Sequence, residues 1–225
     1  MYCPACPSNS LDRLTANTKV LDFQCPKCEE TYQVKSKSGK FYNTIVNSEY
    51  QTKIEKIKKG QSPNWALLQY DPQAYEVTDL VIIPRHFMTL DAVQPRNPLS
   101  NTARRAGWVG SNVLLNKLPP HARLYVIEDG QIKTKRRVRK EWKKFEFMRR
   151  KRLETKGWLN DVLTCVRELG KKEFTLKEMY GFEGRLQELH PDNRFVKDKI
   201  RQQMQVLRNE GIVEFVRRGE YRLKI

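Results

Sequence analysis

The sequence predicts an α/β unit with a sheet at its centre, followed by a helical unit that ends in a β-hairpin. Continuous apolar runs, such as that in "EVTDLVIIPRHF", are typical of strands covered on both faces. The segment "WLNDVLTCVREL" instead repeats apolar residues at helical spacing. The last residues, "IVEFVRRGEYRLKI", alternate on either side of a Gly-containing turn, which indicates a hairpin.

The first unit reads as strands interrupted by one helix. "TKVLDFQC" and "ETYQVKSK" are rich in β-branched and aromatic residues and predict two strands. Residues 48–59 predict a helix, and "SPNWALLQYD", "EVTDLVIIPRHF" and "RLYVIEDGQI" predict further strands. This order favours a small α/β layer.

A basic segment joins the two units. Residues 133–152, "KTKRRVRKEWKKFEFMRRKR", contain twelve Lys/Arg and two Glu, a net charge of +10. The composition is compatible with a basic helix that follows phosphates and equally with a solvated tether.

The second unit has the element order of a winged helix-turn-helix. Thr175 is a candidate N-cap because Glu178 follows three residues later, the spacing of a capping box. In the third helix, the spacing places Phe195, Ile200, Met204 and Leu207 on one apolar side, and Gly211 is the expected C′ glycine.

Composition indicates a polyanionic partner. The 225 residues are 39% hydrophobic, enough for a buried core, and 43 Lys/Arg against 26 Asp/Glu give a net charge of +17. Nucleic acid is the natural partner, and an acidic membrane surface is the alternative. No apolar run is long enough to span a bilayer, and the N-terminus lacks the pattern of a signal peptide. We expect a cytoplasmic protein, monomeric and not inserted in a membrane.

Four cysteines have the spacing of a structural zinc site. Cys3-x₂-Cys6 and Cys25-x₂-Cys28 are separated by eighteen residues, and two such knuckles complete a tetrahedral Cys₄ site. Four protein ligands leave no open coordination position, so the metal is expected to be structural. An iron–sulfur centre and cysteines without any metal are the alternatives. Cys165 lies on the apolar side of a helix and is expected in the core.

Three polar residues beside the second knuckle predict a hydrolytic centre. Gln33 and Lys35 are two residues apart, so on a strand they face the same side, and a neighbouring strand brings Asp22 within reach. An acid with one more oxygen ligand can hold Mg²⁺, and a nearby lysine can orient water and stabilise a phosphate. The competing interpretation is an ordinary polar strand face.

Several segments together resemble the DpnI-type restriction endonucleases, which cut GATC sites whose adenine is methylated. The resemblance covers nearly the whole chain, and the segments that carry it are "CPAC", "DFQCPKCEETYQVKSKSG", "LSNTARRAGWVGSN", "EDGQI", "GWLNDVL", "FTLKEMYGFE" and "KIRQQMQVLRNEGIVEF". The runs "TARRAGW" and "IRQQMQVLR" are more specific than the zinc knuckles. The resemblance implies a nuclease domain of the PD-(D/E)xK class with an embedded zinc site at 1–150. It also implies a winged-helix domain at 151–225, with both domains binding methylated DNA.

By resemblance, Asp22 falls on the metal-binding aspartate, Gln33 on the second acidic position and Lys35 on the motif lysine. The family has Glu where this chain has Gln33; a carboxamide can still ligate Mg²⁺ but removes one negative charge. Glu29 or Glu30 is a candidate to compensate. Family members also carry a helical segment before the first knuckle, whereas Met1 stands two residues before Cys3. We expect either a truncated chain or a misassigned start.

Nine residues are candidate DNA contacts. By resemblance, Trp108 lies near the methyl groups, where a flat apolar indole gains from contact with a poorly hydrated methyl; the alternative is a core tryptophan. The remaining candidates are side chains suited to phosphate or base-edge contacts, in the loop, third helix and wing: Arg104, Arg105, Lys197, Arg201, Gln202, Gln205, Arg217 and Arg218.

The resemblance favours a Mg²⁺-dependent endonuclease that cleaves double-stranded DNA at adenine-methylated GATC. A protein that binds methylated DNA with weakened or no nuclease activity is the first alternative, because of Gln33. A transcription factor made of a zinc ribbon and a winged helix is the second.

Overall fold

The computed structural model describes residues 1–15 and 21–224. The chain divides into two compact units, Met1–Arg149 and a second that begins at Arg150. Each unit is built around its own sheet and helices. Within the described residues, every helix is too short or too polar to cross a membrane.

The first unit contains ten strands among the described residues. They are β1 (Asp12–Arg13), β2 (Phe23–Gln24), β3 (Thr31–Ser38), β4 (Thr44–Glu49), β5 (Asn64–Asp71), β6 (Glu76–Ile83), β7 (Val93–Pro95), β8 (Gly110–Leu114), β9 (Leu124–Glu128) and β10 (Gln131–Ile132). Its helices are α1 (Tyr50–Lys58) and α2 (Lys135–Lys144). The predicted strands and the predicted helix at 48–59 are confirmed wherever they lie in the described residues, except that "RLYVIEDGQI" forms two strands, β9 and β10. Residues 18–20 of the first predicted strand lie outside the described residues.

The predicted central sheet is present and is mixed. Its described strands follow the order β1-β2-β3-β5-β6-β9-β10. Strands β3 and β5 run parallel, whereas the other neighbouring pairs are antiparallel. Parallel neighbours need a crossover connection, and α1 lies in the connection between β3 and β5. The apolar strands β5 and β6 are central, which explains their continuous hydrophobic runs.

A smaller sheet lies with α1. Strands β4, β8 and β7 pair antiparallel in that order, and α1 packs on all three. Glu49 caps the start of α1 by accepting hydrogen bonds from the backbone N–H groups of Gln51 and Thr52. This cap fixes the point at which β4 becomes α1.

The basic segment contains helix α2, which covers one face of the main sheet. Val138 and Trp142, four residues apart on α2, are buried in the same cluster as Tyr32 and Ile82. The surrounding lysines and arginines stay at the surface because only this one stripe is apolar. The tether interpretation of residues 133–152 is therefore wrong for the residues of α2.

Glu30 forms a buried ionic centre next to the second knuckle. Its carboxylate is 1% exposed and lies 2.8 Å from Arg85 and 2.7 Å from Arg149. The Asn64 side chain donates to the same carboxylate at 2.6 Å and accepts a hydrogen bond from the Arg85 backbone N–H. A buried carboxylate with these partners ties the start of β3 to β5 and to the turn that follows β6.

The second unit has the predicted order of helices and strands, except that the predicted second helix is divided into α4 and α5, so the predicted third helix is α6. Its elements are α3 (Leu153–Glu168), β11 (Glu173–Thr175), α4 (Leu176–Tyr180), α5 (Glu183–Leu189), α6 (Val196–Asn209), β12 (Val213–Arg217) and β13 (Glu220–Leu223). The sheet order is β11-β13-β12, so the terminal hairpin forms the wing. Cys165 is buried on α3, as predicted.

Local signals at the helix ends are confirmed. The Thr175 hydroxyl accepts from the backbone N–H of Glu178, and the Glu178 carboxylate accepts from the Thr175 N–H, which completes the capping box. Gly211 follows α6 with φ +71°, the left-handed conformation expected of a C′ glycine.

The prediction that Phe195 lies on the apolar side of the third helix is wrong. Its side chain is 73% exposed. The helix begins at Val196, and Phe195 has the non-helical dihedrals φ −125° and ψ 56° of its N-cap. Helical periodicity does not extend to a residue outside the helix. The other three residues of that set, Ile200, Met204 and Leu207, are buried.

We expect Glu30→Gln to lower the free energy of unfolding by about 3 kcal/mol, because it leaves two arginines without their shared carboxylate. This is the low end for a broken buried pair, since the Arg85 and Arg149 side chains are 22% and 36% exposed. Urea denaturation measures the loss. Glu29→Gln, at an exposed neighbouring residue, is the matched control. Equal stability of the two variants would contradict this role of Glu30.

Candidate functional site

The four cysteines of the two knuckles come together. Their sulfur atoms all lie within 4.8 Å of one another, with Cys3 3.6 Å from Cys28 and Cys6 3.5 Å from Cys25. A tetrahedral zinc site with Zn–S bonds of 2.3 Å places its sulfurs about 3.8 Å apart. The donor set therefore fits zinc, which would hold the knuckles together as a structural ion.

The thiols of the cluster differ in how readily they ionise. Burial opposes ionisation of Cys25, but backbone N–H groups of Cys28 and Lys27 outweigh it and lower the pKa of this thiol to about 6. Burial raises the pKa of Cys3 and Cys28. Four crowded sulfurs cannot all ionise without a positive charge between them, and a divalent ion supplies it.

The second knuckle joins β2 to β3 and so places Asp22. Phe23 pairs with Tyr32, and one further step along the same register brings Asp22 opposite Gln33. The Asp22 N–H donates to the Tyr32 carbonyl at 3.0 Å, and its Oδ2 accepts from the Val34 N–H at 2.7 Å. The carboxylate is exposed and fixed against the backbone of β3.

Gln33 and Lys35 share one face of β3, as strand geometry requires. Gln33 is 7% exposed, and its Oε1 lies 3.5 Å from Nδ2 of Asn47 on β4. Burial lowers the pKa of Lys35, and the nearby charge of Asp22 acts in the opposite direction. The structure thus brings all three predicted residues to one region of the sheet.

Two side chains of this region carry oxygen donors of the kind that Mg²⁺ takes in proteins. Asp22, the residue before β2, offers a carboxylate, and Gln33 on β3 offers a carboxamide. Mg²⁺ commonly takes only one or two protein oxygens and keeps several waters. With a single carboxylate, the site attracts a dication less strongly than the two-acid pattern of the family.

Of the two neighbouring glutamates, Glu30 is engaged elsewhere, because Arg85, Arg149 and Asn64 hold its carboxylate. Glu29 is exposed in the turn between β2 and β3, where its φ is +59°. The expectation that Glu30 compensates for Gln33 is therefore wrong, and the same role for Glu29 stays a prediction.

Sequence reasoning missed two residues of this region, Asn47 and Lys53. Lys53 is buried on α1 one turn before Ile57, and its Nζ lies 4.6 Å from the ring centre of Trp65. Trp65 pairs with Gln33 across the parallel ladder. A lysine at an apolar helical position was a signal present in the sequence. The sequence contains no comparable signal for Asn47, because its contact with Gln33 forms only when β4 folds beside β3.

The "TARRAGW" run forms the connection between β7 and β8. Leu99 and Trp108 close this loop with a 3.0 Å backbone hydrogen bond. The Trp108 indole is half-buried, Arg105 lies 4.9 Å from its ring centre, and Arg104 is exposed. A Cβ at Gly110 would come within 2.9 Å of the indole, so only glycine permits this approach. Trp108 is therefore not a fully buried core residue.

The third helix presents its predicted polar side outward. Lys197, Arg201, Gln202 and Gln205 on α6 are all exposed, as are Arg217 and Arg218 at the wing. Three of the cations have acidic partners: Lys197 pairs with Glu183, Arg201 with Asp198 and Arg217 with Glu220. Exposed ion pairs are weak, so a phosphate can replace these partners. The DNA contacts themselves stay predictions.

Both units match models of one protein family. Residues 1–151 match the DpnI model, described as the Dam-replacing family, and residues 154–223 match the model of the Dam-replacing HTH domain. The chain belongs to the Dam-replacing family. Membership supports a restriction endonuclease that acts on DNA, with a helix-turn-helix domain after the nuclease region.

We expect the purified protein to bind about one zinc ion per chain through the sulfur cluster. Cys6→Ser should lose zinc and lower the melting temperature, because a closed four-ligand site contributes directly to folding. Elemental analysis and thermal melting measure both effects. Cys165→Ala, which removes a buried thiol outside the cluster, is the control and should keep its zinc. Equal zinc content in both variants would argue against this site.

Proposed function

We propose that this protein is a methyl-directed restriction endonuclease that cleaves double-stranded DNA at GATC containing methylated adenine. The observation that supports cleavage most directly is the grouping of Gln33 and Lys35 on β3 with Asp22, which precedes β2 and is hydrogen-bonded to the backbone of β3. The target sequence and its methylation are inferred from the family resemblance. Paired thiolates and a DNA substrate both favour a cytoplasmic location.

The proposed reaction is hydrolysis of a phosphodiester. A water oxygen forms a new bond to phosphorus, one P–O ester bond breaks, and the leaving oxygen ends as a hydroxyl after taking up a proton. A bound Mg²⁺ would supply Lewis acidity at the phosphoryl group. Asp22 and Gln33 are its proposed ligands. Lys35 orients the attacking water and stabilises the charge that develops on the phosphate oxygens.

Trp108 is the proposed methyl reader of the first unit. The half-buried indole presents an apolar surface, and the adjacent Arg104 and Arg105 suit phosphates or base edges. In the second unit, α6 is the proposed major-groove reader. Its exposed Arg201 can pair with guanine, its glutamines can pair with adenine, and Arg217 and Arg218 suit the backbone.

A second candidate function is recognition of methylated DNA with weakened or no nuclease activity. The observation that favours it is the single carboxylate of the site, since Gln33 is neutral and Glu30 is fully engaged. Both functions require DNA binding, so cleavage is the property that separates them.

We expect the protein to cut plasmid from adenine-methylating cells in the presence of Mg²⁺ and to spare unmethylated plasmid. Lys35→Met should slow cleavage by about a thousandfold while leaving DNA affinity largely unchanged, because it removes charge stabilisation in the transition state. Lys37→Met, two residues further on the same strand and exposed, is the control. Equal cutting of both plasmids would remove the methyl-directed part, and retained activity in Lys35→Met would show that the centre lies elsewhere.

We expect Gln33→Glu to lower the Mg²⁺ concentration that half-saturates cleavage by about tenfold, because it adds a negative charge beside the cation. Magnesium titrations of the cleavage rate measure this change. Gln51→Glu, which adds the same charge at an exposed position of α1, is the control. A large gain in the maximal rate as well would favour the second candidate, a natural protein with weakened nuclease activity.

A further inference from the structure

Helix α1 carries a lysine on its buried face. Lys53 is 1% exposed and lies one turn before Ile57, which is 5% exposed. Its Nζ has no hydrogen-bond partner among the described residues. A buried amine without hydrogen-bond partners is costly, because its three donors are removed from water and left unused.

The amine lies at the wall of the candidate nuclease site. Its Nζ is 4.6 Å from the ring centre of Trp65, and Trp65 is the ladder partner of Gln33, so the indole and the carboxamide share one face of the sheet. Lys35, on the same face, is close enough for its charge to act on Lys53. Burial, together with the charges of Lys35 and Lys56, lowers the pKa of Lys53 to about 7.

The charges of this region suit an anion. They comprise the carboxylate of Asp22, the amine of Lys35 and, in its protonated form, the amine of Lys53. The side chain of Gln33 is neutral. An incoming phosphate would offer Lys53 the acceptors that it lacks and would favour its charged form. The four-carbon stem lets the amine move from the face of Trp65 toward such a ligand without a change in the helix.

We propose that Lys53 is a second lysine of the nuclease site, and that its amine donates to an oxygen of the scissile phosphate when DNA is bound. This inference rests on the proposed function, because it assumes that DNA is held and cut on this face. A site with only one carboxylate binds a metal ion weakly and so gains little positive charge from it. Lys53 then supplies part of the positive charge that stabilises the phosphate. Its role is direct contact with the substrate.

The test compares Lys53→Met with Lys58→Met. Methionine keeps an unbranched stem and removes the charge, and the control removes the same charge from an exposed position of the same helix. At saturating DNA and Mg²⁺, Lys53→Met should cut about a hundredfold more slowly, whereas Lys58→Met should stay near the natural rate. The melting temperature of Lys53→Met should equal or exceed that of the natural protein. Unchanged cleavage in Lys53→Met, or equal losses in both variants, overturns the proposal.

A second measurement separates substrate contact from a structural role. A duplex with an uncharged methylphosphonate at the mapped cleavage position should bind the natural protein more weakly than the normal duplex does. The same replacement should make little difference to Lys53→Met, which has already lost the contact. An equal penalty in both proteins overturns the contact. Lys53→Gln replaces Lys53→Met in both measurements if methionine prevents folding.

DNA binding without cleavage keeps the two proposals distinct. If the natural protein does not cut methylated DNA, the proposed function fails. Fluorescence anisotropy across a KCl series still tests Lys53, because losing one phosphate contact should reduce the slope of log K against log salt by about 0.9. An identical slope in Lys53→Met overturns the phosphate contact.

Discussion

The sulfur cluster is the constraint on which the proposed chemistry depends. Strand β2 is only two residues long, and such a strand has little stability of its own. Cys25 and Cys28 lie in the turn that joins β2 to β3 and bind it to the first knuckle through the cluster. Asp22 stays opposite Gln33 because this connection holds its register. A structural metal in this cluster would thereby help to set where the proposed reacting groups meet.

The two faces of the main sheet carry different functions. One face buries apolar side chains against α2 and the cysteine knuckles, with Glu30 and its arginines beside them. The other face carries Gln33, Lys35 and, over Trp65, the amine of Lys53. The buried amine and carboxamide lie on the second face, whereas the buried carboxylate of Glu30 lies beside the first.

The features that could be predicted from the sequence are those fixed by local geometry. The cysteine spacing, the capping box at Thr175, and the shared face of Gln33 and Lys35 depend only on bonds or repeats within one element. Features set by distant partners were not accessible. Glu30 finds its arginines far along the chain, Asn47 meets Gln33 only after β4 folds, and Phe195 left the expected face because α6 begins one residue later.

The acidic neighbours of α6 and the wing also limit how the second unit meets DNA. Three carboxylates act as tethered counterions for exposed cations of this unit. The pairs are Glu183 with Lys197, Asp198 with Arg201 and Glu220 with Arg217. A phosphate that binds one of these cations must displace its carboxylate, so the electrostatic gain of association is smaller than the net charge of +17 implies. Chance encounters with arbitrary duplex are weakened most, because they depend almost entirely on that gain. Internal neutralisation of this kind would shorten the time that the second unit spends on irrelevant sequence.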